Sequence, residues 1–392
     1  MRVGLNATCF NDRPSGANQR FFNIYHALVR RRPDIDFIVY EPVEHRIADW
    51  FGGAANVTAQ VTPIPSVGRI ARLRAGRGYW SSRLRADRLD LFECFHLPLL
   101  SAPACPTIFT IHDLRPIHAD QSFLARRLSR WVLRDAFARA DHVVAVSDAV
   151  KAEILAFRPG TMVSTIYNGV DPAAFASPDS ATVAAVRERY KLPDSFVLAI
   201  GHLEPRKNLG VLVEAIAKLR DAGISVPLAI VGNDGGSRAS LVEQIVAGRL
   251  EPLITMIEDA DDATVRALYA GCTMVAFPSR YEGFGIPILE AMAAGKPLVM
   301  SDTDVFRELT LGQGRYFPPG DPAAAAAAIA DVWTDPGERA RQIISGRERV
   351  EAFGFDRLAD EVAVLYERLA GATTAKASAN RARPTSTEWK RS

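Results

Sequence analysis

The sequence predicts an α/β protein of two domains, each built on a parallel sheet covered by helices. Its 392 residues exceed what one hydrophobic core usually serves. Short apolar strands alternate with amphipathic helices twice along the chain. Turn-forming residues at 167–172 separate the two alternations. We therefore place the first domain at 1–171 and the second at 172–354.

The first alternation begins with a strand, a glycine turn at 14–16 and a helix over 17–31. The apolar residues of that helix share one face. The expected strands are residues 3–9, 36–40, 89–95, 107–111, 142–146 and 162–166. His112 and Asp113 directly follow the strand 107–111, at the carboxyl end, where open α/β sheets bind ligands. Asp113 either orients the His112 ring or caps a turn.

The second alternation contains a turn, 201–208, between a strand and a helix. Its Arg206 and Lys207 precede the helix start, where two cations and free backbone N–H groups can hold a diphosphate. The expected strands are residues 195–200, 228–231, 254–257, 274–277 and 298–300, and the expected helices are 209–221, 323–333, one starting at 336, and 355–370.

The stretch 277–297 contains the other candidate site. Glu282 lies in a turn with two glycines, and Glu290 lies eight positions later in an apolar helix. Eight residues is a little over two helical turns, so the two carboxylates can serve different parts of one elongated ligand. The helix N-terminus favours an anion or polar oxygens.

Composition excludes several classes of function. The hydrophobic fraction of 48% and charged fraction of 23% are those of a soluble globular protein, and a net charge of +2 argues against a dedicated nucleic-acid binder. The four cysteines lack zinc-site spacing, so buried thiols in a reducing compartment are expected and no metal site is. The first residues do not form a secretory signal, and no apolar run reaches membrane-span length, so a cytoplasmic protein is expected.

Two basic segments raise the question of a membrane. Residues 69–88 are rich in arginine and contain Tyr79 and Trp80, which fits either a solvated surface or one that meets anionic lipid head groups. A second helix is amphipathic, and core packing is expected to account for its apolar residues, which include Leu128 and Trp131. Its basic residues at helical spacing are Arg126, Arg127, Arg130 and Arg134.

Taken together, the motifs resemble one family. HD after a strand, YNGVD at the boundary, GHLEPRKN, EGFGIPILE and FPPGD occur in the order found in the retaining glycosyltransferases of family 4. The resemblance covers about residues 1–370. It implies the GT-B architecture, in which two Rossmann-like domains have parallel sheets facing across a cleft that holds the active site. A C-terminal helix, 355–372, would pack back toward the N-terminal domain, and 373–392 would form a disordered tail.

The resemblance also implies roles for particular residues. His112, Arg206, Lys207 and Glu282 would be catalytic, with the two cations gripping the donor diphosphate and Glu282 holding the sugar. Glu290 would bind the ribose hydroxyls. The implied donor-binding set is Gly16, Asp113, Gly201, Asn208, Gly283, Phe284, Gly285, Ile286 and Glu290. No metal or other cofactor is implied, and retention would follow from a same-face displacement.

The sequence departs from the family pattern in three loops. Gly16 stands alone where many relatives have two glycines, His202 replaces an arginine, and 301–308 lacks the usual glycine pair. These departures concentrate the expected phosphate contacts on Arg206.

The expected function is hexose transfer from a nucleoside-diphosphate sugar to a lipid-linked glycan in envelope polysaccharide or lipopolysaccharide synthesis. GDP-mannose is the first choice of donor, and UDP-glucose or a related UDP-sugar the second. The enzyme would be cytoplasmic, with peripheral association at the inner face of the membrane through 69–88. The alternatives are a non-catalytic nucleotide-sugar-binding protein, a nucleotide-sugar 2-epimerase or phosphorylase, and a membrane-surface scaffold. A phosphorylase would need a pyridoxal-binding lysine and a much longer chain.

Overall fold

The protein is described by a computed structural model over residues 1–11, 15–96, 105–118, 123–175 and 179–381. It divides into two compact units. The first unit comprises Met1–Val146, Val150–Ile166 and the chain from Asp356 onward. The second comprises Ser147–Ala149 and Tyr167–Phe355. Each unit is a parallel sheet with helices, so the predicted α/β class is confirmed.

The strands follow the predicted positions closely, with two additions. They are β1 Arg2–Asn6, β2 Asp36–Pro42, β3 Val57–Thr62, β4 Leu91–Cys94, β5 Thr107–Ile111, β6 His142–Ala145, β7 Val163–Thr165, β8 Val197–Ile200, β9 Leu228–Val231, β10 Ile254–Ile257, β11 Met274–Phe277, β12 Leu298–Ser301 and β13 Arg315–Phe317. The sequence did not indicate β3 and β13. Both are edge strands whose residues are largely exposed or half-buried, so they lack the apolar runs that reveal the central strands.

The helices alternate with these strands. They are α1 Gly16–Arg31, α2 Arg69–Ala86, α3 Arg115–His118, α4 Phe123–Arg139, α5 Asp148–Phe157, α6 Ser180–Arg189, α7 Gly210–Asp221, α8 Arg238–Ala247, α9 Asp262–Gly271, α10 Ile286–Ala293, α11 Asp304–Thr310, α12 Pro322–Thr334, α13 Pro336–Val350 and α14 Phe355–Arg381. Short 3₁₀ helices cover Ile47–Phe51, Pro172–Phe175, Pro205–Lys207 and Glu351–Phe353. The helix α14 runs past Thr373, where the sequence predicts a disordered tail, and residues 382–392 of that tail lie outside the described residues.

The first unit has a seven-stranded sheet in the order β3-β2-β1-β4-β5-β6-β7, with every pair parallel. The order reverses between β1 and β4, which are hydrogen-bonded neighbours. In open α/β sheets such a reversal leaves a crevice at the carboxyl ends of the strands, where ligands bind.

A buried polar cluster ties α14 to this sheet. The carboxylate of Glu93 on β4 accepts hydrogen bonds from Tyr25 on α1 at 2.7 Å, from Thr110 on β5 at 2.6 Å and from Tyr366 on α14. All four side chains are buried, and burial raises the pKa of Glu93 despite these hydrogen bonds. Because three donors satisfy one buried carboxylate, the cluster fixes how α14 packs within the first unit.

The second unit has a six-stranded parallel sheet in the order β10-β9-β8-β11-β12-β13. Its reversal lies between β8 and β11. One hydrophobic cluster joins the sheet to α7 and α12, whose buried faces include Leu212, Ile216 and Ile329. The loops that leave the carboxyl ends of β8 and β11 therefore start from neighbouring points on a rigid sheet.

The two basic segments place their tryptophans differently, and part of the interpretation of α4 is wrong. Trp80 on α2 is buried, and its ring lies edge-on to Tyr40 with centroids 5.3 Å apart. On α4, core packing accounts for the buried Val132 and Leu133 but is wrong for Leu128 and Trp131, which are 54% and 66% exposed. The apolar residues of α4 thus fall on two sides of the helix, one buried and one in solvent.

Cysteine and metal chemistry give no further site in the described chain. Cys94 and Cys272 are buried, Cys9 and Cys105 are partly exposed, and all four are free thiols. Over the residues that the structure describes, no cluster of three histidine, cysteine or carboxylate side chains is arranged to hold a metal ion. None of the described helices is both long enough and apolar enough to cross a membrane.

Candidate active site

The loop after β8 is a turn, as predicted, and its residues suit the backbone angles that they adopt. Gly201 has φ +138°, which a residue with a side chain rarely adopts. Pro205 then starts the 3₁₀ turn that contains Arg206 and Lys207, and Asn208 ends it in the left-handed conformation at φ 55°. Asparagine is among the few residues other than glycine that adopt this conformation readily, so the turn places both cations just before α7.

The loops after β8 and β11 are bound to each other. The backbone N–H of Arg280 donates to the carbonyl oxygen of Arg206 at 2.9 Å. The Asn208 side-chain amide donates to the carbonyl oxygen of Pro278 at 3.2 Å. Residues 70 or more positions apart in sequence therefore form one structure at the carboxyl ends of two adjacent strands.

Glu282 lies at the centre of this structure. Its carboxylate lies 2.7 Å from the Arg206 guanidinium and 2.7 Å from the Lys207 ammonium, and it accepts a hydrogen bond from Ser279 Oγ at 2.9 Å. Burial favours the neutral acid, but Lys207 and then Arg206 outweigh it and lower the pKa of Glu282. Glu282 is therefore ionised at neutral pH and holds the two cations side by side.

A second carboxylate balances the cluster. Glu204 Oε2 lies 2.6 Å from Arg206 Nε, so Arg206 is held on two sides. Its pKa is raised, because Glu282 and Glu204 together outweigh the effect of burial. Two cations facing two carboxylates make a preorganised polar site in which an arriving anion can exchange with a carboxylate.

Glu290 occupies a different environment. It lies inside α10, which begins after Gly285, a residue with φ +128°. Glu290 Oε2 accepts a hydrogen bond from the Tyr269 hydroxyl at 2.9 Å. Burial raises its pKa to about 7, and the Tyr269 hydrogen bond offsets only part of that rise. The two glutamates of this stretch thus differ sharply in their readiness to lose a proton.

The turn between the glutamates is anchored by one aromatic side chain. Phe284 is buried and contacts Tyr167 and Phe353, with ring centroids 6.0 and 6.2 Å away. Gly283 and Gly285 flank it, and Ile286 is the first residue of α10. This packing fixes the backbone of the turn that follows Glu282.

The remaining predicted site residues belong to the first unit. His112 and Asp113 follow β5, and Gly16 is the first residue of α1. Asp113 accepts from the Arg115 backbone N–H at 3.0 Å and from its Nε at 2.7 Å, which is the turn-capping alternative. The residues named by the sequence therefore form one cluster in the second unit and a smaller set in the first.

The His112 ring is held neutral. Burial, and then the nearby Arg20 cation, lower the pKa of His112 to about 3. Its Nε2 atom is buried and has no hydrogen-bond partner among the described residues. A buried polar atom without a partner is rare in native structures, and it marks a place where a ligand hydroxyl can bind.

Several contacts of this site escape sequence reasoning. Tyr269 lies 21 positions from Glu290 on another helix, and no spacing rule connects them. Ser279 and Glu204 lie three and two positions from their partners, so proximity alone could have suggested them. At the strand reversal of the first unit, Thr8 Oγ1 lies 3.4 Å from His96 Nε2, an arrangement that only the pairing of β1 with β4 reveals.

Two family models match this chain. The model described as glycosyl transferases group 1 matches residues 185–349, and the model described as glycosyltransferase family 4 matches residues 14–174. The first covers β8 through nearly all of α13, including both loops of the cluster. The second covers α1 through the strands and helices that precede α6.

Individual proteins are similar along nearly the whole chain. Phosphatidyl-myo-inositol mannosyltransferase of Mycobacterium tuberculosis is 30% identical over 395 residues, covering 95% of this chain and 98% of the relative. O-antigen chain mannosyltransferase RfbU of Salmonella typhimurium is 29% identical over 316 residues, covering 78% and 83%. Among solved structures, sucrose-phosphate synthase from Thermosynechococcus elongatus matches with a TM-score of 0.74 at 19% identity, covering 95% of this chain and 99% of that one. That likeness shows a shared fold.

Proposed function

Because this chain belongs to the group 1 and family 4 glycosyltransferases, we propose that it transfers mannose from GDP-mannose to a lipid-linked glycan. The two relatives compared above are named as mannosyltransferases, and this chain is a glycosyltransferase of envelope glycan synthesis. The observation that supports a nucleoside-diphosphate sugar as the donor is the cluster in which Arg206 and Lys207 both contact Glu282.

The cations are suited to the departing diphosphate. When the bond between the anomeric carbon and the phosphate oxygen breaks, negative charge develops on the leaving group. Arg206 and Lys207 are already aligned, so they stabilise that charge with little reorganisation, an effect worth several kcal/mol. In this proposal the phosphate oxygens take the place of the Glu282 and Glu204 carboxylates.

The carboxylates and the turn hold the rest of the donor. Glu282, once displaced, accepts hydrogen bonds from the donor sugar, together with the backbone of Gly283, Phe284 and Gly285. Glu290 accepts from the ribose hydroxyls, which replace Tyr269 as its donors. Gly16, Asp113, Gly201, Asn208 and Ile286 complete the proposed donor-binding set.

His112 serves the reacting end of the sugar in this proposal. Its neutral ring and unpartnered Nε2 atom suit a hydrogen bond to a sugar hydroxyl beside the anomeric carbon. The acceptor oxygen attacks from the face that the diphosphate leaves, so a C–O bond forms where another breaks. The acceptor proton goes to the departing phosphate oxygen, and the configuration is retained.

No metal ion or other cofactor takes part in the proposed reaction. The arginine and lysine side chains provide the positive charge that a divalent cation supplies in other phosphate-transferring sites. A transfer assay in the presence of a chelator tests this, with unchanged turnover as the expected result.

The choice of GDP-mannose rests on the mannosyltransferases that resemble this chain. UDP-glucose or a related UDP-sugar is the second candidate donor. A protein that binds the nucleotide sugar without transferring it is the non-catalytic alternative, and the intact cluster of Arg206, Lys207 and Glu282 argues against it.

We place the enzyme in the cytoplasm, at the inner face of the membrane that carries its acceptor. Residues 69–88 are proposed to contribute basic charge to that association. In α2, Arg74 and Arg85 are exposed, whereas Arg83 is paired with Asp87 at 2.7 Å.

Turnover of the purified protein with a panel of nucleoside-diphosphate sugars and polyprenyl-diphosphate glycans tests the proposal. GDP-mannose should be consumed fastest, and Glu290→Ala should weaken donor binding. Absence of both transfer and hydrolysis with every donor, together with unchanged donor binding by Glu290→Ala, would overturn the assignment.

A further inference from the structure

The helix α4 carries an apolar stripe that the fold leaves in solvent. Leu124, Leu128 and Trp131 are 77%, 54% and 66% exposed. They are spaced i, i+4 and i+7, so they form one continuous line along the helix. A contiguous exposed line of this kind marks an interaction surface, unlike a single exposed leucine.

The core does not need these residues. The buried face of α4 is formed by a separate set, which includes Val132, Leu133 and Phe137. Phe137 packs with Phe109 and Phe157, with centroids 6.2 and 6.1 Å away. The helix is therefore apolar on two sides, and only one side is used for folding.

A line of arginines runs beside the exposed stripe. Arg127, Arg130 and Arg134 are spaced i, i+3 and i+7, which places them on the neighbouring strip of the same exposed surface. Among the described residues, no carboxylate forms an ion pair with any of the three. The acid on this helix, Asp135, is paired with Arg139 at 2.8 Å.

The guanidinium groups of these arginines lie near aromatic rings. The Arg130 and Arg134 guanidinium carbons lie 5.1 and 5.6 Å from the centroid of the Phe157 ring, and that of Arg127 lies 5.9 Å from Phe123. Cation–π contacts of this kind hold the charged groups in place. The arginines are thus a fixed basic row beside an apolar one.

We propose that α4 docks the first unit onto an anionic lipid bilayer, with Leu124, Leu128 and Trp131 entering the interface and Arg127, Arg130 and Arg134 contacting lipid phosphates. A helix with an apolar face, an adjacent basic face and a tryptophan is suited to lie in the plane of the membrane interface. A bilayer also fits the charge, since each arginine near an anionic surface strengthens binding.

The α2 segment fits such a role less well. Its tryptophan, Trp80, is buried in the core, and Arg72 and Arg83 hydrogen-bond to Pro65 and Asp87. The segment 69–88 can add positive charge, but its tryptophan is held in the core. The apolar part of the docking surface is therefore assigned to α4.

Binding to vesicles of phosphatidylglycerol and phosphatidylcholine tests the proposal. Arg127→Gln/Arg130→Gln/Arg134→Gln should lower the partition coefficient roughly 100-fold, at about fivefold for each charge. Leu124→Ser/Leu128→Ser/Trp131→Ser should also abolish most binding, and added salt should weaken the wild type. Vesicles of phosphatidylcholine alone should bind weakly.

Matched controls keep the test specific. Val364→Ser removes an apolar residue that is 64% exposed on α14, and Arg74→Gln/Arg85→Gln removes exposed charge from α2. Both should bind vesicles more strongly than either α4 variant. Circular dichroism and the melting temperature should match the wild type throughout, because every replaced side chain is exposed.

A conservative substitution of the tryptophan provides an independent test by fluorescence. Trp131→Phe preserves the apolar stripe, so vesicle binding should persist, while most of the blue shift in tryptophan emission on vesicle addition should disappear. The proposal fails if wild type does not bind anionic vesicles or if the α4 variants bind as wild type does. It also fails if the serine variant disrupts a dimer in solution without changing vesicle binding, since α4 would then contact a second copy.

Discussion

The carboxylate of Glu282 and the ammonium of Lys207 form an ion pair of 2.7 Å, although 75 positions separate them in sequence. Both side chains are largely buried, and Arg206 contacts the same carboxylate. Desolvated charges of this kind are costly unless they are paired, so each member of the cluster depends on the others. The proposed reaction uses that dependence, because a phosphate can replace the carboxylate between the two cations.

Removing the charge of Glu282 should lower the stability of the protein and increase its stabilisation by a nucleoside diphosphate. Glu282→Gln leaves two neighbouring cations without their shared partner, so unfolding free energy should fall by about 2 kcal/mol. Nucleoside diphosphate should stabilise this variant more than it stabilises wild type, because the phosphates supply the missing negative charge. Thermal unfolding with and without GDP measures both effects, and Glu204→Gln is the control on the other side of Arg206.

Equal melting temperatures for Glu282→Gln and wild type would mean that the ion pairs contribute nothing. A smaller stabilisation by GDP in the variant than in wild type would mean that the phosphates do not bind beside these cations.

Glu290 should make stability depend on pH. Its folded-state pKa of about 7 lies above its ordinary value of 4.5, so between these values the folded protein binds more protons than the unfolded chain. The contribution of Glu290 to stability is therefore complete below about pH 4.5 and is lost as pH rises toward 7. Each pH unit in this window costs up to about 1.4 kcal/mol. Glu290→Gln should show a flatter profile in denaturant unfolding, and an unchanged profile would contradict the assignment.

His112 should contribute no titration to catalysis near neutrality. Because burial and Arg20 hold its pKa at about 3, the ring is neutral throughout the physiological range. The pH profile of kcat/KM should therefore lack a His112 step, and its acid limb should follow Glu290 near pH 7. Comparing the profiles of wild type and His112→Gln tests this, with a lower but parallel curve as the expected result. Loss of a step between pH 5 and 8 in His112→Gln would show that the histidine titrates there.

The Glu93 cluster should hold α14 on the first unit. Tyr366→Phe removes one of three donors to a buried carboxylate, and the cost should be about 1 kcal/mol. Glu93→Ala leaves three buried hydroxyl groups without their acceptor and should cost roughly 3 kcal/mol or more. Urea unfolding measures both, and Val364→Ser on the exposed face of α14 should have little effect. Equal stabilities of Glu93→Ala and Val364→Ser would show that the cluster does not anchor the helix.

The sequence predicted the central strands well because parallel strands buried on both faces read as short apolar runs. It missed β3 and β13, two edge strands whose residues are largely exposed or half-buried and which carry no such run. It also misassigned Leu128 and Trp131, since amphipathic spacing identifies a helix without saying which apolar face meets the core. Trp80 on α2 is buried, whereas Trp131 on α4 is exposed. This difference depends on how each helix packs on the sheet, so no local sequence pattern predicts it.

The residues of the candidate site were also only partly recognisable from the sequence. Arg206, Lys207 and Glu282 were recognisable from motifs, and the pairing of β8 with β11 explains why they meet. Tyr269 was not, because its contact with Glu290 depends on how α9 packs beside α10. The different proton affinities of Glu282 and Glu290 follow from burial and neighbouring charge, which spacing along the chain does not determine.

The central claim is that the loops after β8 and β11 bind and activate a nucleoside-diphosphate sugar. Initial-rate turnover of GDP-mannose by wild type and Arg206→Ala, measured side by side with a lipid-linked glycan acceptor, tests it most directly. The account predicts turnover by wild type and a loss of kcat/KM of roughly 100-fold or more in Arg206→Ala, because charge on the departing phosphate is no longer stabilised. Turnover that is equal in the two proteins would contradict it.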